Sequence, residues 1–213
     1  MHIYVFGSLC RGDVSVDSDV DLLALVDAPN PRFDPDIFSI YSYHRLEQLW
    51  REGNPFAWHL ALESRMVFSS DERDYIKSQG MPAPYQNCVR DCEKFYALFR
   101  DAMKSVLADD RSRVFDLSTV FLSVRNIATC YSLGLGEHPE FSRSSALHLG
   151  KASIPITGTS YEVLERARIL CIRGFGKGIT SGEMDRVIEE LLDVDKWMAR
   201  LVEEAKANGR IQQ

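Results

Sequence analysis

The chain opens on a short apolar run. Ile3-Tyr4-Val5-Phe6 is aromatic and β-branched and stops at Gly7-Ser8, which predicts a buried strand ended by a turn. Residues 9–12 have the pattern of one helical turn, and residues 13–18 are polar without a helical period. From Asp19 to Val26 the pattern passes from alternation (Asp, Val, Asp, Leu) to a wholly apolar run. That predicts a second strand with Asp19 and Asp21 projecting from one face. Prolines at positions 29, 31 and 35 make the next segment a loop. Ile37 to Tyr43 predicts a third strand. Residues 44–52 predict a helix with Leu46, Leu49 and Trp50 on one face, residues 56–64 a second helix, and residues 65–68 a last short strand.

The period changes after Met81-Pro82-Ala83-Pro84, a proline-spaced stretch that predicts a linker. Val89, Cys92, Phe95, Tyr96, Phe99 and Met103 recur at three- and four-residue spacing and predict a helix over 85–107. Further helices are predicted over 112–133, ended by Gly134 and Gly136, over 143–149, over 160–173 with Ser160 as cap, and over 180–206. Thr180 and Glu183 have the spacing of a capping box at the start of the last one. The expected fold is α+β: a small mixed β-sheet domain over residues 1–80, then an all-α helical bundle over 85–207. At roughly 150 residues per domain, 213 residues suit one large domain or two small ones.

Charge sharpens this division. Residues 1–84 carry seven Lys/Arg against 13 Asp/Glu, whereas residues 85–213 carry 18 of each. An acidic N-terminal half is a poor general nucleic-acid surface, because phosphates need cations. Its carboxylates suit a divalent metal instead. Five scattered cysteines, an odd number, argue against a disulfide framework and lead us to expect a cytoplasmic protein. No run approaches the ~18 apolar residues of a membrane span, and the apolar start lacks the basic flank of a secretory leader. Cys88 and Cys92 share a helix face, but no second pair completes a zinc site.

The chemistry concentrates in residues 3–26: strand, Gly7-Ser8, ten residues, then Asp19-x-Asp21 on a second strand. Glycine permits close backbone approach or a positive φ at the strand end. Amides where a helix begins attract anions such as a triphosphate. Two carboxylates on one face are hard ligands for Mg²⁺, which binds through one or two carboxylates plus substrate phosphates.

The segment FGSLCRGDVSVDSDVDLLALV, residues 6–26, resembles the DNA polymerase β-like nucleotidyltransferase superfamily. The spacing from Ser8 to Asp19-x-Asp21, together with Arg11-Gly12 and Ser18, is similar to that of its minimal and kanamycin-type members. The resemblance implies that Gly7 and Ser8 hold the triphosphate and that Asp19 and Asp21 are catalytic ligands of Mg²⁺ or Mn²⁺. It implies transfer of a nucleoside monophosphate, expected to be AMP from ATP, to an acceptor hydroxyl on a small molecule or a protein. It also implies a helical C-terminal domain of kanamycin or HEPN type, and a homodimer or protein partner. Active members have a third carboxylate on the next strand, where Ile37 or Ser39 stands here and Asp36 lies at the entrance. The alternative is therefore an impaired member acting as a binding or regulatory module of toxin–antitoxin type.

Other patterns carry less. Gly174, Gly176 and Gly178 with Lys177 lack a preceding strand and Walker spacing, and read as a helix-ending loop. Arg143 and His148 have the Arg-x4-His spacing of HEPN ribonucleases, but Ser144 follows the Arg where those nucleases carry Asn, Asp or His. Arg125-Asn126 opens better but lies too far from His138. Both read as surface or capping contacts. Trp58, His59 and Glu63 fall on one predicted helix, with Trp58 read as packing and His59 as a satisfied half-buried imidazole.

Overall fold

The structure is a computed structural model and describes residues 1–13, 20–28, 30–108 and 111–211. It is an α+β protein of two compact units, Met1–Gln86 and Asn87–Gln213.

The first unit contains β1 (His2–Phe6), α1 (Ser8–Arg11), β2 (Asp21–Val26), β3 (Phe38–Ser42), α2 (Tyr43–Arg51), α3 (Pro55–Glu63), β4 (Ser64–Ser69) and α4 (Tyr75–Ser78). The sheet order is β3-β2-β1-β4. β1 pairs antiparallel with both β2 and β4, whereas β2 and β3 run parallel. Alternation gives the sheet two unlike faces. Tyr4, Phe6, Leu23 and Leu25 pack with Leu46, Leu49, Trp50, Ala57 and Leu60 of α2 and α3, and Ala24 and Val26 pack with Phe33 on the other side. Asp21 is in phase with Leu23 and Leu25, so it projects from the helix-covered face at the sheet's end.

The two helices on that face are set by their caps. Ser42 accepts from the Arg45 amide at 3.1 Å to start α2. Asn54 accepts from the Phe56 amide at 2.9 Å, and Pro55 occupies the first turn of α3. A fourth helix escapes the periodicity, being a single turn. Asp74 caps it, and the Tyr4 hydroxyl binds it from the core, donating to Asp74 and accepting from the Ile76 amide, each at 3.0 Å. The stretch read as a free linker is tied down. The Trp50 indole donates to the Gly80 carbonyl, the Trp58 indole donates to Ala83, and the Ala83 amide donates to Trp50.

The second unit contains α5 (Cys88–Ala108), α6 (Arg113–Leu135), α7 (Gly158–Arg173) and α8 (Ser181–Ile211). α6 packs against the other three, and Phe99, Leu117, Val124, Ile127, Leu164, Leu191, Met198 and Leu201 fill the core between them. All strands among the described residues lie in the first unit. The expected helix over 143–149 is instead two 3-10 turns, Ser145–Leu147 and Gly150–Ala152. Serines at 142, 144, 145 and 153 bind nearby polar groups there, competing with a regular helix. α7 starts earlier than its expected cap. Thr157 accepts from the Ser160 amide at 3.2 Å, and the buried Ser160 hydroxyl donates to Glu190 at 2.7 Å. The Thr180–Glu183 capping box is present: the Thr180 amide donates to Glu183 at 2.8 Å and the Glu183 amide to the Thr180 hydroxyl at 3.3 Å. No helix among the described residues is long and apolar enough to cross a membrane.

Candidate nucleotide site

Three chain segments meet at one end of the sheet. Register sets Phe6, the last residue of β1, beside Asp21 on one side and Ser64 on the other. Gly7 and α1 follow β1, and Glu63 ends α3 just before β4.

Gly7 has φ 74° and ψ −139°, a backbone region that essentially only glycine enters. A Cβ built there would lie 2.5 Å from Asp21 Oδ2. The missing side chain is therefore what allows the Asp21 carboxylate to lie against the β1–α1 turn. Asp21 is exposed to solvent. Ser8 begins α1, and the Cys10 amide donates back to the Gly7 carbonyl at 3.0 Å. The amides of a first helical turn have no partner within their own helix and suit an anion. Gly12, at φ 81° and ψ 10°, closes the turn in the left-handed conformation.

Asp19, the other expected metal ligand, lies outside the described residues, as do Asp17 and Ser18. Among the described residues no three His, Cys, Asp or Glu side chains form a metal-holding cluster. The β2–β3 register pairs Leu22 with Phe38 and Leu23 with Ser39, so Ser39 lies on the face that Asp21 and Leu23 share. Asp36 and Ile37 lie in the turn before β3, where the Ile37 amide donates to the Asp34 carbonyl at 3.0 Å. The Asp36 amide donates to the Asp34 side chain at 2.9 Å within the same turn.

A buried charge network stands next to the turn. The Arg11 guanidinium donates to Glu63 and, at 3.0 Å, to Asp13. His59 Nε2 lies 3.0 Å from Glu63 Oε2. The side chains of Arg11, Glu63 and His59 are only 18%, 15% and 13% exposed, so the Arg11–Glu63 pair is largely shielded from water. The His59 ring also meets the Phe6 ring edge-on, with centroids 5.6 Å apart. Burial pushes the Glu63 carboxyl up, but hydrogen bonds and charge from His59 and Arg11 outweigh it and hold the pKa below the usual value. Burial likewise opposes the Arg11 charge, and Glu63 and Asp13 more than restore it. Sequence reasoning had Arg11 in the motif and His59 and Glu63 on one helix, but not their meeting. The signal was the i,i+4 spacing of His59 and Glu63 on a helix that leads into the strand beside β1.

This network predicts a pH dependence. The folded-state pKa of Glu63 is lowered, so its contribution is present above the unfolded carboxylate value of about 4.3 and is lost as pH falls through the folded value. Glu63→Gln leaves Arg11 with Asp13 as its counter-charge and is expected to cost about 1.5–3 kcal/mol at pH 7, the worth of a hydrogen bond to a charged group. Urea unfolding at neutral pH and near pH 3.5 checks this. The gap between wild type and variant narrows at the acid end, and an equal gap at both pH values contradicts the assignment.

The other candidates belong to the second unit. His148 Nδ1 is 3.2 Å from Glu140. The Arg125 guanidinium donates to the carbonyls of Phe141 and Ser142, and the Arg143 carbonyl accepts from Tyr161. These are contacts that hold an irregular segment. Gly174 ends α7 in the left-handed conformation. Cys88, Cys92 and Cys130 are buried, with the Cys88 thiol donating to the Cys130 carbonyl at 3.4 Å.

The four-stranded mixed sheet thus carries a Gly-Ser turn after its first strand and an aspartate at the head of its second. Residues 2–81 match the family model described as the nucleotidyltransferase domain. The match spans the sheet, the β1–α1 turn, Asp21 and the Arg11–Glu63–His59 network. It ends before the helical unit. Nucleotidyl transfer is thereby supported as the general chemistry of the N-terminal unit. No curated protein matches the chain.

Proposed function

We propose that the N-terminal unit binds a nucleoside triphosphate together with Mg²⁺ or Mn²⁺ and transfers the nucleoside monophosphate to an acceptor hydroxyl, releasing pyrophosphate. The observation that carries this is Gly7 at positive φ with the Asp21 carboxylate against its bare α-carbon. Gly7 and Ser8 receive the phosphates, and Asp19 and Asp21 hold the metal. Asp21 is a hard oxygen donor beside an anion-accepting turn, which fits a small divalent cation shared with substrate phosphates. When bound, the metal would offset charge on the transferred phosphorus. Arg11, held by Glu63 and Asp13, fixes the turn. ATP is the expected donor. By likeness to kanamycin-type or HEPN-linked enzymes, the helical unit would serve acceptor recognition, for a small molecule or a partner protein.

Calorimetric titration of ATP with and without Mg²⁺, followed by assay of candidate hydroxyl acceptors, tests this reading. Metal-dependent ATP binding supports it, and equal affinity with and without metal opposes it.

The entrance to β3 carries a further expectation. Ile37, the residue just before β3, is 56% exposed, so changing it empties no core. A carboxylate there would share a second metal on the side of the attacking hydroxyl. Ile37→Asp is expected to raise the transfer rate while leaving nucleotide affinity within a few-fold. An unchanged or lower rate in a folded variant would mean the attacking side is completed by another group.

A further inference from the structure

We propose that the helical unit carries a binding site for a phosphate-bearing small molecule, separate from the Gly7–Asp21 turn. It is a cleft of about 440 Å³ between the Gly150–Ala152 turn and α8, lined by Lys151, Ser153, Asp193, Lys196, Trp197 and Arg200 among others.

The site is built rather than incidental. Asp193, Lys196, Trp197 and Arg200 stand at i, i+3, i+4 and i+7 and so share one face of α8. The Trp197 side forms the anchored wall. Its indole is 3% exposed and its Nε1 donates to the Ala152 carbonyl at 2.7 Å, tying the 3-10 turn to the helix. That bond holds the turn bearing Lys151, next in the chain to Ala152, so that Lys151 lines the same cleft as the two α8 cations. The Ser153 hydroxyl donates to the Leu147 carbonyl at 2.9 Å and steadies the turn from its other end.

Charge then selects the ligand. Three cations line the cleft against one carboxylate. Asp193 is taken by Lys196 at 2.9 Å. Arg200 has a loose contact with Glu204 at 3.7 Å, and Glu204 also accepts from the Tyr131 hydroxyl at 2.5 Å. Lys151 forms no ion pair among the described residues. A dianion supplies what the cleft lacks. Arg200 offers a planar fork that matches phosphate oxygens, and Lys151 offers a point charge. The volume lies within the range of small-ligand pockets and exceeds the need of a lone inorganic ion. The site therefore suits a phosphomonoester on a body of sugar or nucleoside size.

The test uses the full chain carrying Gly7→Ala, so that phosphate capture at the N-terminal turn is suppressed. Inorganic phosphate, then ribose 5-phosphate, is titrated while the indole N–H resonances are followed by NMR. The Trp197 resonance is assigned by its loss in Trp197→Phe. We expect saturable shifts confined to Trp197 among the three indoles, tighter for the sugar phosphate, and weakened by added salt. Lys151→Met with Arg200→Met should weaken binding at least about tenfold, the loss of one charge-assisted hydrogen bond. Lys94→Met, outside the cleft, should change nothing. Three results overturn the proposal: no Trp197 shift at tens of millimolar phosphate, equal affinity in the folded double variant, or shifts at Trp50 and Trp58 only. The last places the phosphate in the first unit and leaves the nucleotide reading intact.

Discussion

Gly7→Ala is expected to abolish productive nucleotide binding while costing the fold little. The backbone at φ 74° and ψ −139° is closed to alanine without strain of about 1–3 kcal/mol. The new methyl would also sit 2.5 Å from Asp21 Oδ2, 3.5 Å from its carboxyl carbon and 3.8 Å from its Cβ. Asp21 is a side chain on an exposed strand end, so it is the group that yields. The displacement would move the carboxylate proposed to hold the metal away from the β1–α1 turn. Misplacement by about 1 Å is enough to cost roughly a hundredfold in rate. Transfer should therefore fall by about that factor or more, with helical content unchanged by circular dichroism. A variant that binds Mg-ATP like wild type contradicts the role given to Gly7.

Asp19→Asn with Asp21→Asn carries the second large effect. Both changes preserve volume and remove charge, so the apo fold should persist. In the wild type, Mg-ATP at about a hundred times its dissociation constant stabilises by about 2.7 kcal/mol through linkage. The double variant should lose the metal-dependent part of that thermal shift. It should also lose transfer by about 10²–10³ at the least, the cost of one well-placed electrostatic group. An unchanged metal-dependent shift would place the metal elsewhere. The two predictions separate: Gly7→Ala harms the turn with the carboxylates present, whereas the aspartate pair removes the carboxylates with the turn intact.

The sequence pattern was most informative where a physical period was strong. The strands around Tyr4 and Leu23 and the long helices α5, α6 and α8 lie within a few residues of their expected limits, because each buries a face that repeats along it. Gly7 and Asp21 were legible for a different reason. Positive φ and close approach restrict a position to glycine, and that restriction survives in one residue. Single-turn elements were not legible. α4 rests on one aspartate cap and a tyrosine hydroxyl 70 residues away, and the 3-10 turns near Ser145 rest on serine contacts that mimic a helical start. The Arg11–Glu63 pair spans 52 residues and exists because β4 returns beside β1, a pairing no local pattern encodes. The parallel β2–β3 pairing is of the same kind. It sets Ser39 level with Leu23, on the face that Asp21 shares.

The most direct test of the central claim is a backbone amide NMR titration with Mg²⁺ and a non-hydrolysable ATP analogue. The account predicts that the largest shifts fall on Gly7, Ser8 and Leu9, with Asp21 and its neighbours on β2 following at the same ligand concentration, and with no such pattern when Mg²⁺ is replaced by chelator. Saturable shifts that spare the β1–α1 turn and Asp21 and fall elsewhere in the chain would contradict it.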